Sequence, residues 1–576
     1  MRTVYMKKIL FMAVIALICV SCEDFLDTDN LTKKDTTNFP KLATDAEQMI
    51  TGVYSTLSSA ISNVPSHYFY ISELASDERL GGGGENDKDT QGFDKLMNVG
   101  PSWSQPFWGT RYNGIFRANM ALETLDNCEV NETTLKNFKG EAHFLRGFFY
   151  HELAEMFGEV PLVISTSPVN KERTNIDLIY GQIAYDLKNA IEYLPAVKYD
   201  QVESGHATKW AAEALIARAY LFYTGFYGKD ALPLGDGTGD ANEGTITKDQ
   251  VIGWIDDCVA NSGHNLIDDF RRLWAYSNEY TAQEYDFVKD LKDAGKYWVM
   301  DGHANPEHVF VTKCSKMANW GTIIGYSNQF LLYFGLRSEN GDEKTFPFGV
   351  GWGAGPVNPV LWDEWAKDEP NDKRRAASIA DVNVEMKNFI WGGDKQVEET
   401  GYWQKKLLVI RAHDSEGKLR NSFSSLIWSS DDNFQLRQVQ DHVIVRFADV
   451  LLMQSELKGN ADGINRVRMR AGLPSVTYSL ENLQKERRYE LAFEGRRWAD
   501  IRRWGIAETV LQKQDGIRIW NRGVETIMKP FGGGYATRYR ETKGFFPLPL
   551  SEIQLSEGVL TQTPGWGEVT NEYQGW

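Results

Sequence analysis

One stretch, Leu483–Trp504, constrains the fold more than any other part of the chain. It reads LQKERRYELAFEGRRWADIRRW and threads glutamates and arginines through apolar positions. Its apolar residues recur at helical spacing, and its glutamates are four residues apart. The apolar anchors are Leu483, Leu491, Phe493, Trp498, Ile501 and Trp504, and the acidic residues are Glu486, Glu490 and Glu494. The pattern predicts helical structure that packs against the rest of the protein.

Three explanations fit the charges in this stretch: a glycosidase-like set of carboxylates, a basic surface for nucleic acid, or a structural network of ion pairs. Each glutamate has guanidinium groups nearby, from Arg487, Arg488, Arg496, Arg497, Arg502 and Arg503. Such neighbours lower the pKa of a carboxyl group, which suits ion pairing and makes a poor general acid. We therefore favour the structural explanation.

The first residues form an export signal. Basic residues precede an apolar run, 9–20, that is too short to span a bilayer. The small residue Ser21 then precedes Cys22. We expect residues 1–21 to be a lipoprotein signal peptide and Cys22 to be the lipid attachment site, which would anchor the protein without a transmembrane helix. The alternative is ordinary secretion with Cys22 as an unmodified thiol.

Composition excludes some partners. The 576 residues are 42% hydrophobic and 12% aromatic, enough for one large core or several. The formal charge of −17 falls to −20 when three basic residues leave with the signal, so nucleic acid and anionic lipid are poor partners. Cys128, Cys258 and Cys314 would remain, and an odd number at wide spacing is neither a disulfide framework nor a metal site.

The signature stretch resembles that of the SusD/RagB family of outer-membrane nutrient-uptake lipoproteins, in which Glu-Leu-x-x-Glu-Gly-x-Arg leads into Asp-x-x-Arg-Trp. Further segments resemble the family in the same order along the chain: CEDFLD, GEAHFLRGFFYHELAEMFGEVPL, RFADVLLMQSEL, INRVRMRAGLP, FFPLPLSEI and QTPGW. The matching structural signature residues are Glu490, Glu494, Arg497, Asp500, Arg503 and Trp504.

The resemblance implies a fold and a function. The fold would be mostly α-helical, a scaffold of tetratricopeptide-like helical repeats with long, loop-rich, aromatic insertions. The protein would be a cell-surface lipoprotein of the outer membrane that binds a glycan or similar oligomeric nutrient and delivers it to a TonB-dependent, SusC-like transporter, with no cofactor. The alternatives are a peptide-binding protein of the same type and a repeat scaffold that binds only protein.

Hydrophobic periodicity supports such a scaffold. It predicts an amphipathic helix over 45–57 and three helices between Leu135 and Tyr227, the second beginning near Asn175 and the third capped by Thr208. We divide the mature chain into an N-terminal helical region, a loop-rich aromatic insert and a C-terminal signature region. Their bounds are 22–230, 231–430 and 431–576.

Tryptophans concentrate in the predicted insert, together with the segments 235–245 and 348–359, which are too rich in glycine for regular elements. A flat aromatic ring can stack on the apolar face of a sugar while polar side chains bind its hydroxyls. Most individual tryptophans are still expected in the core. As ligand-binding residues we predict Asp77, Arg79, Trp103, Trp320, Trp352 and Trp391.

No catalytic or metal-binding motif appears in the sequence. The nine histidines are scattered, and the chain has no Gly-x-Ser-x-Gly. The adjacent acids Asp363–Glu364 and Asp431–Asp432 could form a glycosidase pair, but the distance between carboxylates in space decides that chemistry. We therefore expect no enzyme activity and no metal ion, with a glycoside hydrolase as the least favoured alternative.

Overall fold

The computed structural model describes residues 39–576 except 62, 301–303, 321–325, 338–339, 341–342, 387 and 568–570. The predicted signal peptide, 1–21, and the lipid attachment at Cys22 lie outside the described residues. Among those that are described, no helix is both long and apolar enough to cross a membrane.

Helices dominate the structure, and successive long helices pack on one another. Helix α4 (Gln105–Thr124) packs between α1 (Ala43–Ile61) and α5 (Glu132–Phe157), and α5 packs on α6 (Ile176–Tyr193). Helix α6 packs on α7 (Lys209–Tyr227), and α7 packs on α8 (Lys248–Asn261), which also contacts α15 (Phe447–Lys458). This stacked arrangement confirms the predicted helical-repeat scaffold. The helices are α1 (Ala43–Ile61), α2 (Tyr68–Ala75), α3 (Lys88–Asp94), α4 (Gln105–Thr124), α5 (Glu132–Phe157), α6 (Ile176–Tyr193), α7 (Lys209–Tyr227), α8 (Lys248–Asn261), α9 (Lys289–Asp293), α10 (Phe330–Tyr333), α11 (Pro359–Asp368), α12 (Lys373–Ser378), α13 (Val382–Glu385), α14 (Ser424–Trp428), α15 (Phe447–Lys458), α16 (Asp462–Arg470), α17 (Leu480–Glu490), α18 (Arg497–Arg503), α19 (Ala507–Leu511), α20 (Tyr535–Thr542) and α21 (Leu550–Leu555).

Local sequence signals set the starts of these helices. The Asn175 side chain accepts a hydrogen bond from the Asp177 backbone N–H at 2.9 Å, and Thr208 accepts one from the Ala211 N–H at 3.1 Å. Both caps satisfy an otherwise unpaired donor in the first helical turn. The predicted helix over 45–57 lies within α1, and the three helices predicted after Leu135 are α5, α6 and α7.

In the part of the chain that the structure describes, the strands are short and form six separate pairs, five antiparallel and one parallel. The segment 235–245 departs from its prediction, because its ends continue the first hairpin and only its middle is a turn. The pairs are β1 (Leu232–Gly235) with β2 (Asn242–Ile246), β3 (His308–Thr312) with β10 (His442–Arg446), β4 (Leu336–Arg337) with β5 (Val350–Gly351), β6 (Ile379–Asp381) with β7 (Tyr402–Gln404), β8 (Ala412–His413) with β9 (Leu419–Arg420) and β11 (Arg518–Asn521) with β12 (Val524–Ile527).

The signature stretch is interrupted, although its periodicity runs on at helical spacing. Helix α17 ends at Glu490 and α18 begins at Arg497. Between them the backbone of Phe493 has φ +65° and that of Gly495 has φ +71°, both in the left-handed region. A side chain on Gly495 would place its Cβ 2.6 Å from the Phe69 ring, so the chain turns there at close quarters. Glu494 therefore lies in the turn and not on a helix.

Two large hydrophobic clusters fill the interior. One joins the packed helices with the C-terminal segments, and the other lies within the aromatic insert between Ile267 and Phe423. Trp365 and Trp403, both predicted insert tryptophans, are completely buried. Cys128, Cys258 and Cys314 are all buried. The division at residues 230 and 430 stays a prediction.

Candidate functional site

The glutamates of the signature stretch lie in a buried network of ion pairs. Glu490 contacts the guanidinium groups of Arg446 and Arg470 and lies 2.8 Å from Arg374. Burial alone would raise its pKa, but the three arginines hold the pKa well below the ordinary value. Glu494 lies 2.9 Å from Arg446. Glu490 is fully buried, and both carboxylates are engaged in ion pairs.

The rest of the signature extends the same network into α18. Asp500 bridges Arg487 and Arg503 at 2.8 and 2.9 Å. Arg503 continues to Glu456, which also accepts a 3.0 Å hydrogen bond from the Trp504 indole N–H. One charged chain of contacts therefore ties α15, α17 and α18 together.

The structure does not support Asp77 and Arg79 as ligand-binding residues. Asp77 is 3% exposed, and its two carboxylate oxygens accept hydrogen bonds from Arg497 at 2.6 and 2.8 Å and from Arg488 at 3.0 Å. Arg79 is 0% exposed and pairs with Glu73 at 2.6 Å. Both side chains are buried in ion pairs, which favours a place in the structural network, and a ligand-binding role for them stays a prediction.

The predicted tryptophans are distributed over three places. Trp103 packs against Phe93, with ring centroids 4.5 Å apart, beside the core. Trp320 is 62% exposed and precedes residues 321–325, which lie outside the described part of the chain. Trp352 is half-buried on the edge of Tyr333, with ring centroids 4.4 Å apart. The structure thus does not bring the six predicted residues together.

Trp391 lies in an open groove of about 820 Å³, which is the best candidate for a ligand site. Its ring meets that of Trp520 with centroids 4.6 Å apart. Tyr402 lines the groove as well and stacks on Trp362 at 4.9 Å, with 26° between the ring planes. We call the groove lined by Trp391, Trp520 and Tyr402 the aromatic groove, and Trp362 packs on Tyr402 from outside this lining.

Three short elements present these rings. Tyr402 is the first residue of β7, and the next residue, Trp403, points the opposite way into the core, as alternation along a strand requires. Trp520 lies on β11, where Ile519 is the buried neighbour. Trp362 lies in the first turns of α11, which Asn358 caps through the Val360 N–H at 3.0 Å.

Polar groups border the aromatic groove. Asp363, Asn383 and Arg518 line it and are all exposed, so they have hydrogen-bonding capacity left for a ligand. The Arg518 guanidinium lies 5.0 Å from the Trp520 ring centroid. Burial, and then the nearby carboxylates of Asp381 and Asp363, raise the pKa of Tyr402, which keeps its hydroxyl a hydrogen-bond donor.

A charged strip connects the groove to Trp352. Arg337 donates a 2.8 Å hydrogen bond to the Trp352 carbonyl and lies 3.4 Å from Asp394. The next residue, Lys395, pairs with Glu85 at 2.6 Å. Glu85 also lies 3.5 Å from Arg522, in the β11–β12 turn beside the groove. Two of the predicted tryptophans therefore share one continuous surface.

Members of both acidic pairs considered for glycoside hydrolysis are engaged in other contacts. Burial would raise the pKa of Glu364, but Arg488 and Lys513 lower it, so it would not hold a proton at neutral pH. Asp431 pairs with Arg437, and Asp432 accepts a hydrogen bond from the Ser422 backbone at 3.2 Å. Glu364 therefore lacks the raised pKa that a general acid needs.

Sequence reasoning missed two of the three aromatic residues that line the groove, Tyr402 and Trp520. One signal was available for Trp520. It precedes Asn521 and a two-residue turn, Arg522–Gly523, whose positive φ values of +53° and +76° suit a tight β-hairpin. A hairpin in the C-terminal region would have placed an exposed tryptophan next to its turn.

Comparison with known proteins points to one family. A family described as "Starch-binding associating with outer membrane" matches residues 24–221, and the SusD family matches residues 363–566. Together these two matches span more than two-thirds of the chain. A SusD-like protein of Formosa agariphila is 24% identical, over 94% of this chain and 95% of that protein.

Solved structures show the same architecture. A laminarin-binding SusD-like protein superposes with a TM-score of 0.68 at 24% identity, covering 91% of this chain and 100% of its own. Surface glycan-binding protein A from Bacteroides thetaiotaomicron, in complex with laminarihexaose, gives a TM-score of 0.66 at 18% identity, covering 91% and 100% of the two chains. At these identities the likeness establishes a common fold.

Proposed function

Because this chain belongs to the SusD/RagB family, we propose that it captures a glycan at the cell surface without cleaving it. We further propose that it is held at the outer membrane through lipidated Cys22 and passes the glycan to a TonB-dependent, SusC-like transporter. The family description, which links starch binding to the outer membrane, supports glycan capture and the location at that membrane.

One observation carries the choice of ligand and site: the rings of Trp391, Trp520 and Tyr402 line an open groove that also presents exposed carboxylate, amide and guanidinium groups. Sugar rings have apolar faces and polar edges, and this lining matches both. The 47° angle between the Trp391 and Trp520 rings means that the groove does not present one flat platform. A curved glycan segment would contact it better than a flat one.

The energy available from such contacts suits reversible capture. Burying about half of an aromatic side chain, roughly 75 to 125 Å², contributes about 2 to 3 kcal/mol before the cost of ordering the glycan. Two or three stacked rings would therefore give affinities from about micromolar to millimolar. Binding of this strength permits release to a transporter.

Laminarin is the first ligand to test, since one solved relative is a laminarin-binding protein and another was solved in complex with laminarihexaose. Affinity electrophoresis of the protein from Glu23 onward would compare laminarin with starch and with other plant, host and microbial polysaccharides. We expect retardation by one polysaccharide with no release of shorter sugars. Retardation would establish binding, and intact polymer would establish that binding is not catalysis.

Trp391→Ala locates the site. Loss of one stacked ring should weaken retention by about 10- to 100-fold, which corresponds to about 1.4 to 2.8 kcal/mol. Trp320→Ala is the matched control, because it removes a solvent-accessible tryptophan that does not line the groove. Loss of binding in Trp320→Ala alone would move the site to that residue.

Failure of every polymer to retard the wild-type protein would favour a peptide ligand or a repeat scaffold, and shortening of a polymer would indicate an enzyme.

A further inference from the structure

Glu399 lies directly beneath the two tryptophans of the aromatic groove. Its backbone pairs with that of Trp520 through two hydrogen bonds, at 3.0 and 2.8 Å. Its side chain accepts a 2.7 Å hydrogen bond from the backbone N–H of Gly392, the residue that follows Trp391. A single residue with 0% exposure thus holds the backbone at both tryptophans.

The backbone around this contact leaves little room for adjustment. Gly392 has φ +70°, and a Cβ there would lie 2.1 Å from the Gly523 nitrogen in the β11–β12 turn. The segment that carries Trp391 therefore touches the hairpin that carries Trp520. The hydrogen bond from the Gly392 N–H to the Glu399 side chain links the same two segments a second time. The position of the Trp391 ring therefore depends on that of the Trp520 ring.

The surroundings of the Glu399 carboxyl favour its uncharged form. No described residue forms a hydrogen bond with its second oxygen, Oε1, which is buried. Burial raises the pKa of Glu399 to about 8, and only the Gly392 hydrogen bond opposes that shift. Charged side chains on the segments packed against it pair elsewhere: Glu398 with Lys95, Asp394 with Arg337, Lys395 and Arg522 with Glu85, and Arg518 with Glu525.

We infer that Glu399 in its uncharged form is the positioning residue of the aromatic groove, and that its ionisation displaces Trp391 relative to Trp520 and weakens glycan binding. An ionised carboxylate at this depth needs hydration or further donors that the closed contact does not provide. Water can reach Oε1 only if the Gly392 segment separates from the hairpin. The two rings then lose the arrangement that a sugar would meet.

The expected effect lies in the alkaline range. A group with a pKa of about 8 is mostly protonated at pH 7 and mostly ionised at pH 9, so its uncharged fraction falls about tenfold between them. If the uncharged form is the one that binds, affinity should fall by about the same factor. The inference about binding rests on the proposed function, whereas the movement of the rings does not.

Ligand-free protein tests the movement. Biosynthetic 5-fluorotryptophan with ¹⁹F NMR would follow the two rings, whose signals are assigned from Trp391→Phe and Trp520→Phe. We expect both signals to shift with a midpoint near pH 8 in the wild type, and not to shift in Glu399→Gln, which is permanently uncharged. Signals that do not move between pH 7 and 9, or that move equally in Glu399→Gln, would overturn the inference.

Laminarin retention at pH 7 and pH 9 tests the consequence. The ratio of the two affinities should be about ten in the wild type and close to one in Glu399→Gln. Glu213→Gln is the matched control, because it removes another buried carboxyl whose pKa is raised, to about 9, in helix α7 and away from the groove. The control should keep the wild-type ratio. A ratio near one in the wild type would overturn the inference, while failure to bind laminarin at either pH counts against laminarin as the ligand and leaves the ¹⁹F result decisive.

Discussion

Asp77→Asn separates the structural role of Asp77 from the ligand-binding role that sequence alone indicates. In the wild type this carboxylate accepts hydrogen bonds from both Arg497 and Arg488 and is 3% exposed. Asparagine has nearly the same shape and keeps one acceptor oxygen, but it removes the negative charge. Two buried guanidinium groups then share a neutral amide whose N–H groups face them.

The loss of stability should be large. Removing one partner from a buried ion pair typically costs about 3 to 5 kcal/mol, and because asparagine keeps one hydrogen bond we expect the lower end, about 3 kcal/mol. Asp256→Asn is the matched control. Asp256 pairs with Lys458 at 2.8 Å on the surface, where its side chain is 39% exposed, and such pairs contribute less than about 1 kcal/mol.

Urea unfolding followed by circular dichroism measures both variants. Asp77→Asn should lower the midpoint with an unchanged slope, and Asp256→Asn should not. The effect should also depend on pH. Arg497 and Arg488 hold the pKa of Asp77 below its ordinary value despite burial, so its contribution is present above about pH 4 and is lost as pH falls through the folded-state pKa. The difference between wild type and variant should therefore shrink on acidification below pH 4.

The result that refutes this reasoning is specific. If Asp77→Asn unfolded at the wild-type urea concentration but no longer retained the glycan, Asp77 would be a ligand residue and its burial in the structural network would be irrelevant. A destabilised variant that still binds at low temperature would support the structural assignment.

Two further substitutions test the core and the groove. Trp365→Ala should destabilise the protein by about 3 to 5 kcal/mol in urea unfolding, because the ring is fully buried, stacks on Tyr489 at 4.7 Å and donates to Asp372; a loss below about 1 kcal/mol would contradict that packing. Gly392→Ala should weaken laminarin retention, because its Cβ would lie 2.1 Å from the β11–β12 turn. Gly417 is the matched control, since it also has positive φ but has open space around it. Gly417→Ala should cost only about 1 kcal/mol of stability and leave binding unchanged. Equal retention by both variants would show that the contact at Gly392 does not shape the site.

Much of the scaffold could be predicted from the sequence, because its signals are local. Caps such as Asn175 and Thr208 act within one helical turn, and the apolar stripes of α5 and α6 recur within single helices. The interruption at Phe493 was missed because its cause is not local. Its positive φ is stabilised by the Glu78 side chain, which accepts a 3.0 Å hydrogen bond from the Phe493 N–H across more than 400 positions in the chain.

The candidate site could be predicted only in part, because no local pattern links its segments. Trp362, Trp391, Tyr402 and Trp520 come from a helix, a loop, a strand and a hairpin that are adjacent only in the folded protein. Asp77 and Arg79 were predicted as ligand-binding residues because their polar segment, SELASDERL, looks exposed in the sequence. The folded protein pairs Asp77 with the distant Arg497 and pairs Arg79 with Glu73 of the same segment. Composition predicted an aromatic insert, but it could not tell a buried tryptophan such as Trp403 from an exposed one.

The ion-pair network that joins α15, α17 and α18 also bears on how the chain assembles. Asp77 pairs with Arg497 from a distant part of the chain, and Arg487 of α17 pairs with Asp500 of α18, so several of these charges find a partner only when separate segments meet. A charged group without its partner is better solvated by water than by the protein interior. We therefore expect these charges to lose their hydration late in assembly, when the segments that carry them come together.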